Sequence, residues 1–371
     1  MRFLNKNWHQ PDFGFIIIFF LIIAFGLIML SSASVSFSFE KFNDSYYLIK
    51  HQLIWGVLPG IIGFLFFCFF DYKILKKFAF SMLLISIGLL VLVFVPHVGA
   101  GYGTAKSWID IFGVSFQPSE LVKLTFLIYL ASWLEKGGPQ KAKDVSEGLI
   151  PFLVILGIIV VLMVLQPDLG TMTIIFLISF VVYYIGGADI KHLISVIIVS
   201  ILGFFVLIKI APYRAARLTI FLHPEFDPQG VGYHINQAFL AIGSGGFWGR
   251  GFGMSRQKFQ YLPEVAGDSI FAIIAEELGF IISAMLILSY LYLMSRGLKI
   301  AQKAPDNFGK LLVIGIISWI LIQTFVNIGA MVGLLPLTGV PLPFVSYGGT
   351  ALAVLMSACG IVVNVSRQTR E

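Results

Sequence analysis

The chain has 371 residues, of which 58% are hydrophobic and 12% charged, with 36 phenylalanines and a formal net charge of +6. Soluble domains carry about 25% charged residues, and a chain of this length folded as about two soluble domains could not hide so much apolar surface. Intrinsic disorder, a secreted disulfide scaffold and a cytosolic enzyme are therefore excluded, and the composition is that of a polytopic membrane protein. The pI near 9.2 reads as loop bias and attraction to anionic headgroups, so no nucleic-acid partner is expected.

A bilayer core of about 30 Å needs roughly 20 apolar helical residues per crossing. In chain order, the blocks that qualify are 13–33, 52–70, 78–95, 119–134, 149–165, 169–186, 190–210, 269–294, 310–333 and 344–364. Phe13 to Leu30, followed by Ser31-Ser32-Ala33-Ser34, could mimic a cleaved signal peptide, but in a chain hydrophobic throughout it reads as a retained span. Cys68 and Cys359 fall inside apolar runs and read as small core residues, not as a disulfide. The expected fold is all-α: about ten transmembrane helices in one integral membrane domain, 1–371, with a long extracytoplasmic loop carrying amphipathic helices.

Lys and Arg in short loops set orientation. With a cytoplasmic N-terminus, the inside segments hold fifteen of the 25 basic residues, including Lys73, Lys76, Lys77, Arg296, Lys299 and Arg367, whereas the short outside loops hold only Lys41, Lys50 and Lys106. Both termini are accordingly expected on the cytoplasmic side of the membrane. The outer segment 211–268 breaks the pattern with Arg214, Arg217, Arg250, Arg256 and Lys258. Within it Ile235, Ala238, Phe239 and Ile242 carry the spacing of an amphipathic helix, expected to lie on or dip into the outer leaflet. The following run, Gly243 to Gly253, is either a compact loop or a set of backbone N–H groups presented to an anionic headgroup.

Several residues could carry chemistry. Gln117-Pro118-Ser119-Glu120 opens the fourth span, and Glu120 and Lys123 share one helix face. They form a structural salt bridge, or Lys123 reaches a phosphate while Glu120 orients it. Gln166-Pro167-Asp168 is a capped turn or a substrate-facing elbow. Glu264 and Asp268 either cap the eighth span or work at the membrane–water boundary, where an ionised Asp268 could take a proton from a sugar hydroxyl or hold a divalent cation. Glu276 and Glu277, roughly 12 Å further along that helix, read as structural. Gln323 and Asn327 read as interhelical hydrogen-bonding groups. No nucleotide motif is present, and the scattered histidines argue against a His-built metal site.

Long motifs in fixed order then identify a resemblance: FQPSELVK (116–123), QPDLGT (166–171), QAFLAIGSGGFWGRGFGMSRQKFQYLPE (237–264), IFAIIAEELG (270–279) and NIGAMVGLLPLTGVPLPFVSYGG (327–349). From about residue 13 to 367 the chain resembles the SEDS family (shape, elongation, division and sporulation), the FtsW/RodA group, and SRQKFQYLPE is closer to the FtsW branch. The resemblance implies a peptidoglycan glycosyltransferase that polymerises lipid II on the outer face of the membrane. It would invert the anomeric centre, release undecaprenyl pyrophosphate, and work with a class B penicillin-binding transpeptidase and divisome or elongasome proteins.

Asp268 matches the family's acid and is the expected general base, or a contact for Mg²⁺ or Mn²⁺. Glu120, Lys123, Arg214, Arg217, Arg250, Arg256, Lys258 and Glu264 are the expected substrate-binding set. The chain departs from the family's Pro-Glu-x-His-Thr-Asp-Phe, reading Pro263-Glu264-Val265-Ala266-Gly267-Asp268-Ser269, so no imidazole immediately precedes the acid. The basic pair expected before Trp108 is reduced to Lys106-Ser107. A lipid II flippase and a division scaffold are the alternative readings. Charge gathered at the outer edge, not at the midplane of several helices, favours an enzyme over a transporter.

Overall fold

The structure is a computed structural model that describes residues 8–96, 99–102, 105–111, 114–210, 221 and 230–369. Arg214 and Arg217 lie outside the described residues. The helices are α1 (Phe13–Ala33), α2 (Val35–Phe42), α3 (Tyr47–Phe69), α4 (Tyr72–Leu92), α5 (Pro118–Lys143), α6 (Val145–Leu165), α7 (Leu169–Ile185), α8 (Ile190–Ile210), α9 (Val231–Gly245), α10 (Ile270–Gln302), α11 (Asn307–Met331) and α12 (Gly349–Ser366). Each of the ten expected blocks falls on one of them. Among the described residues seven helices, α1, α3, α4, α6, α10, α11 and α12, are long and apolar enough to cross a membrane. α5 is longer than its block but carries Glu120, Lys123, Glu135, Lys136, Lys141 and Lys143, while α7 and the segment 190–200 of α8 are shorter apolar helices.

Apolar residues cover the outside as well as the core: Ile17, Ile62, Ile85, Val161 and Leu288 are all exposed. A helix apolar all round is suited to lipid on one side and protein on the other. Proline placement shapes two of the spans. Pro59 and Pro151 cannot donate to the preceding turn, and each follows a π-turn, Leu53–Val57 and Val145–Leu149, that absorbs the mismatch. α3 then packs on α12 through small residues; a Cβ on Gly360 would stand 2.5 Å from the Phe64 carbonyl.

The two chain ends share a face of the bundle. His9 N donates to Arg367 O (2.9 Å), and Arg296 grips Asp12 with two bonds of 3.0 and 2.6 Å. Asn364 donates to the Cys68 and Phe70 carbonyls (3.0 Å each), holding the end of α3 against α12.

An element absent from the sequence reading is a small antiparallel sheet between α4 and α5: β1 (Gly99–Tyr102), β2 (Ala105–Ile111) and β3 (Val114–Phe116). It lies at the opposite end from the termini, and Trp108 pairs with Ala100 within it.

The eighth expected span is a broken helix. At Gly279 the backbone turns to φ 76°, so residues 270–278 form one segment and 280–302 another. The break frees backbone groups that lipid could not satisfy, and the Gly-rich run pairs with them. Arg250 N and Gly251 N donate to Glu276 O and Glu277 O (3.0 and 2.9 Å), while Phe280 N donates to Gly246 O (2.9 Å). α9, the expected amphipathic helix, packs on α10 and α11 through Ile235, Ala238 and Ala241, all buried, and leaves Phe239 more exposed.

Candidate active site

The segment 332–348, between α11 and α12, is the hub of the end opposite the termini. Pro336, Pro341 and Pro343 cannot donate backbone hydrogen bonds and the segment forms neither helix nor strand, so its carbonyls need side-chain donors. Asn327 Nδ2 donates to Val340 O (2.9 Å), Gln323 Nε2 to Pro341 O (2.9 Å), and the Tyr290 hydroxyl to Pro343 O. From α3, Gln52 accepts from Gly348 N (3.0 Å) and Tyr347 OH meets His51 Nδ1 (3.0 Å). Asn327 thus serves this loop and the Asp268 carbonyl rather than another helix, whereas Gln323 serves the loop and also joins α11 to α5, as expected of it.

The same hub holds the expected catalytic acid. Three successive carbonyls accept hydrogen bonds in turn: Ala266 O from Tyr347 N (2.7 Å), Gly267 O from Ser346 Oγ (2.6 Å) and Asp268 O from Asn327 Nδ2 (2.7 Å). The backbone at Asp268 is therefore over-determined while its side chain remains half-exposed. Ser269 Oγ lies 3.4 Å from Asp268 Oδ1 and 2.6 Å from His234 Nε2 of α9. Glu264 is exposed, and its Oε2 lies 3.2 Å from the position a Cβ on Gly267 would take.

One turn of α11 away, about 6 Å along the axis, Gln323 Oε1 accepts from Lys123 Nζ (3.0 Å) and Trp319 Nε1 (2.7 Å). Lys123 and Glu120 are each 2% exposed and pair at 2.8 Å, with the ammonium 4.8 Å from the Trp319 ring centre. Glu120 Oε2 is buried without a hydrogen-bond partner among the described residues. It borders a small cavity whose lining includes Trp319, Gln323, Pro341 and Ser346. Asp168 caps α7 through Thr171 N (3.1 Å), and its Oδ2 accepts from Gln117 Nε2 (3.2 Å) and Ser119 Oγ (3.4 Å). The turn is thus both a cap and the tie between α7 and the start of α5.

The expected cationic set divides. Arg250 and Arg256 are exposed, at the mouth of the loop. Lys258 is 4% exposed and paired with Glu277 (2.9 Å), donating also to Ser32 Oγ (3.0 Å) and Gly253 O (2.7 Å). Gly253 N and Ser255 N donate to Glu277, and Arg256 N and Gln257 N to Glu276. The strap 253–258 thus cradles two carboxylates of the chain itself and leaves Lys258 in an internal ion pair; in the Gly-rich run before it, the N–H groups of Arg250, Gly251 and Gly253 are likewise bonded within the chain, as in the compact-loop alternative. The reason is the break at Gly279, which places both glutamates inside the fold of the loop.

Missed in the sequence were the hub and the Ser269–His234 contact. Three prolines within eight residues between two apolar helices signalled the first; the second needed the packing of α9. Among the described residues no three His, Cys, Asp or Glu side chains gather as a metal site.

Fold and site together define an α-helical multi-pass membrane protein with a buried polar network gathered under one loop at the end opposite its termini. The chain belongs to the FtsW/RodA/SpoVE family of cell cycle proteins, which it matches over residues 13–371. It is 41% identical over 364 residues to stage V sporulation protein E of Bacillus subtilis, covering 97% of this chain and 98% of that protein. It is 36% identical over 350 residues to the probable peptidoglycan glycosyltransferase FtsW of Geobacter sp. strain M18, covering 94% and 95%. Among solved structures, it resembles a chain of a peptidoglycan synthase complex in which polymerization and crosslinking are coordinated (TM-score 0.81, 28% identity, 97% and 99% covered). It also resembles the rod shape determining protein RodA of Thermus thermophilus (TM-score 0.72, 27% identity, 99% and 100% covered).

Proposed function

We propose that this protein is a peptidoglycan glycosyltransferase that polymerises lipid II at the outer face of the bacterial cytoplasmic membrane, with both termini cytoplasmic. The observation that carries the reading is the mounting of Asp268: its backbone is held through three consecutive carbonyls, while the residue itself is only half-buried at the loop end of the bundle. A base must keep its geometry and still reach a substrate hydroxyl. Asp268 removes the proton from the acceptor sugar hydroxyl, whose oxygen attacks the donor's anomeric carbon with inversion. The bond to undecaprenyl pyrophosphate breaks, and the electron pair leaves with the phosphate.

Cationic groups stabilise that developing charge. Exposed Arg250 and Arg256, with Arg214 and Arg217, form the set for the pyrophosphate. Lys123 bonds Gln323, one turn along α11 from the Asn327 that holds the Asp268 carbonyl, and Glu120 fixes its ammonium. A Mg²⁺ ion characteristically takes one or two carboxylates together with substrate phosphates; Asp268, with Glu264 nearby, suits that mode, and Mg²⁺ or Mn²⁺ held there would neutralise leaving-group charge. Lipid II and a class B penicillin-binding transpeptidase are the proposed partners, the latter in keeping with the synthase complex that the fold resembles.

The test is lipid II polymerisation by purified full-length protein with its transpeptidase, with and without divalent cations. Asp268→Ala should lower the rate by about 10²–10⁴-fold with partner binding intact. Unchanged polymerisation would remove Asp268 from the mechanism, and lipid II transport without polymerisation would mark a flippase.

A further inference from the structure

The residues leading into Asp268 hold no imidazole, yet the fold brings one in from another helix. His234 stands on α9, 34 positions before Asp268, with Nε2 2.6 Å from Ser269 Oγ, and that hydroxyl lies 3.4 Å from Asp268 Oδ1. Ser269 is fully buried and His234 half-buried, so the chain of groups runs from the carboxylate, through a water-excluded hydroxyl, to a ring with access to solvent. Ser269 caps no backbone N–H of α10 with its side chain, although a serine at that position commonly does. Its hydroxyl serves these two side chains instead.

We propose that Ser269 and His234 are positioning residues that form the proton outlet of Asp268, an inference resting on the assignment of Asp268 as general base. The serine hydroxyl has one proton, which it offers either to Asp268 Oδ1 or, when the neutral ring is protonated on Nδ1, to His234 Nε2. During transfer the acceptor O–H bond breaks, its oxygen bonds to the anomeric carbon, and the carbon–pyrophosphate bond breaks, leaving the proton on Asp268. The Asp268 O–H then gives its proton to Ser269 Oγ as the serine passes its own to Nε2. The products are a restored carboxylate, an unchanged hydroxyl and an imidazolium that returns the proton to solvent. A polymerase that must reset its base after each addition, with a lipid-linked product still nearby, gains a route that does not cross the substrate.

The experiment measures kcat and KM for lipid II polymerisation by the purified full-length protein with its transpeptidase. Glutamine at 234 keeps a hydrogen bond but carries no proton, so His234→Gln should lower kcat by about 10-fold or more at unchanged KM. Ser269→Ala should do the same, and the double variant should be no slower than either alone, since the two act as a unit. Added imidazole should restore rate to His234→Ala. A His234→Gln enzyme with the parental kcat, or a double variant whose losses multiply, would overturn the outlet. Asp268→Asn separates the two ideas: if it retains polymerisation, the base assignment fails whatever the His234 variants do.

Discussion

Two buried ion clusters sit toward the loop end of this bundle, and they are built to opposite standards. In the cluster at the Gly279 break, all four oxygens of Glu276 and Glu277 accept hydrogen bonds, from Ser32, from the backbone of the 253–258 strap, from Ser255 Oγ and from Lys258 Nζ. In the cluster on α5, Glu120 Oε1 pairs with Lys123 while Oε2, beside a cavity, is buried with no hydrogen-bond partner among the described residues. A buried charge is costly unless its hydrogen-bonding capacity is filled. The saturated cluster therefore holds structure, whereas the unsaturated one is kept at a stability cost beside the proposed base. That difference separates residues the sequence presents as equals, since both clusters are Glu–Lys pairs within apolar surroundings.

The largest effect should come from breaking the saturated cluster. Glu277→Ala strips a buried Lys258 of its counter-charge and orphans the Gly253 and Ser255 amides, a loss of about 3–5 kcal/mol, measurable as a fall in Tm in detergent. Glu120→Gln also removes a counter-charge from a buried lysine, but Lys123 keeps its bond to Gln323 and its place over the Trp319 ring, so Tm should fall less than in Glu277→Ala. The polymerisation rate of Glu120→Gln should drop roughly 10- to 100-fold, the scale of one lost charged hydrogen bond of about 1.5–3 kcal/mol. If Glu120→Gln lowers Tm as far as Glu277→Ala does while polymerisation survives, the contrast between the clusters is wrong.

The smallest effects belong to the exposed loop acids. The Lys50 ammonium, with the Tyr46 N–H, holds the Asp44 carboxyl below its ordinary value. Asp144 is lowered by the Glu147 N–H and then by the Ser146 hydroxyl and N–H. A carboxyl depressed in the folded state contributes stability above its ordinary value, and that contribution disappears as pH falls through the folded one. Thermal scans between about pH 5 and 2 should therefore show a slightly shallower acid decline in Asp144→Asn than in the parent.

Asp268 was legible in the sequence because an acid at the edge of a long apolar block is conspicuous, and Glu120 and Lys123 were legible because ionisable residues inside such a block are rare. The roles of Lys258 and of the Gly-rich run were not. Both depend on a helix break at a single glycine, and apolar periodicity continues across that break without a mark. The three-stranded sheet was likewise invisible, since Ala105–Ile111 is a short strand beside turn residues in a connection between two much stronger helical signals.

The 12% of charged residues decided by itself that the chain lives in a membrane and where its apolar helices lie, because lipid forces backbone hydrogen bonds inside each segment. Which charges are bound within the protein and which stand open was decided only by the tertiary structure. Pairing partners such as Ser32 and Glu277, or His234 and Ser269, are far apart in the chain and meet only when helices pack, and no local pattern encodes that distance.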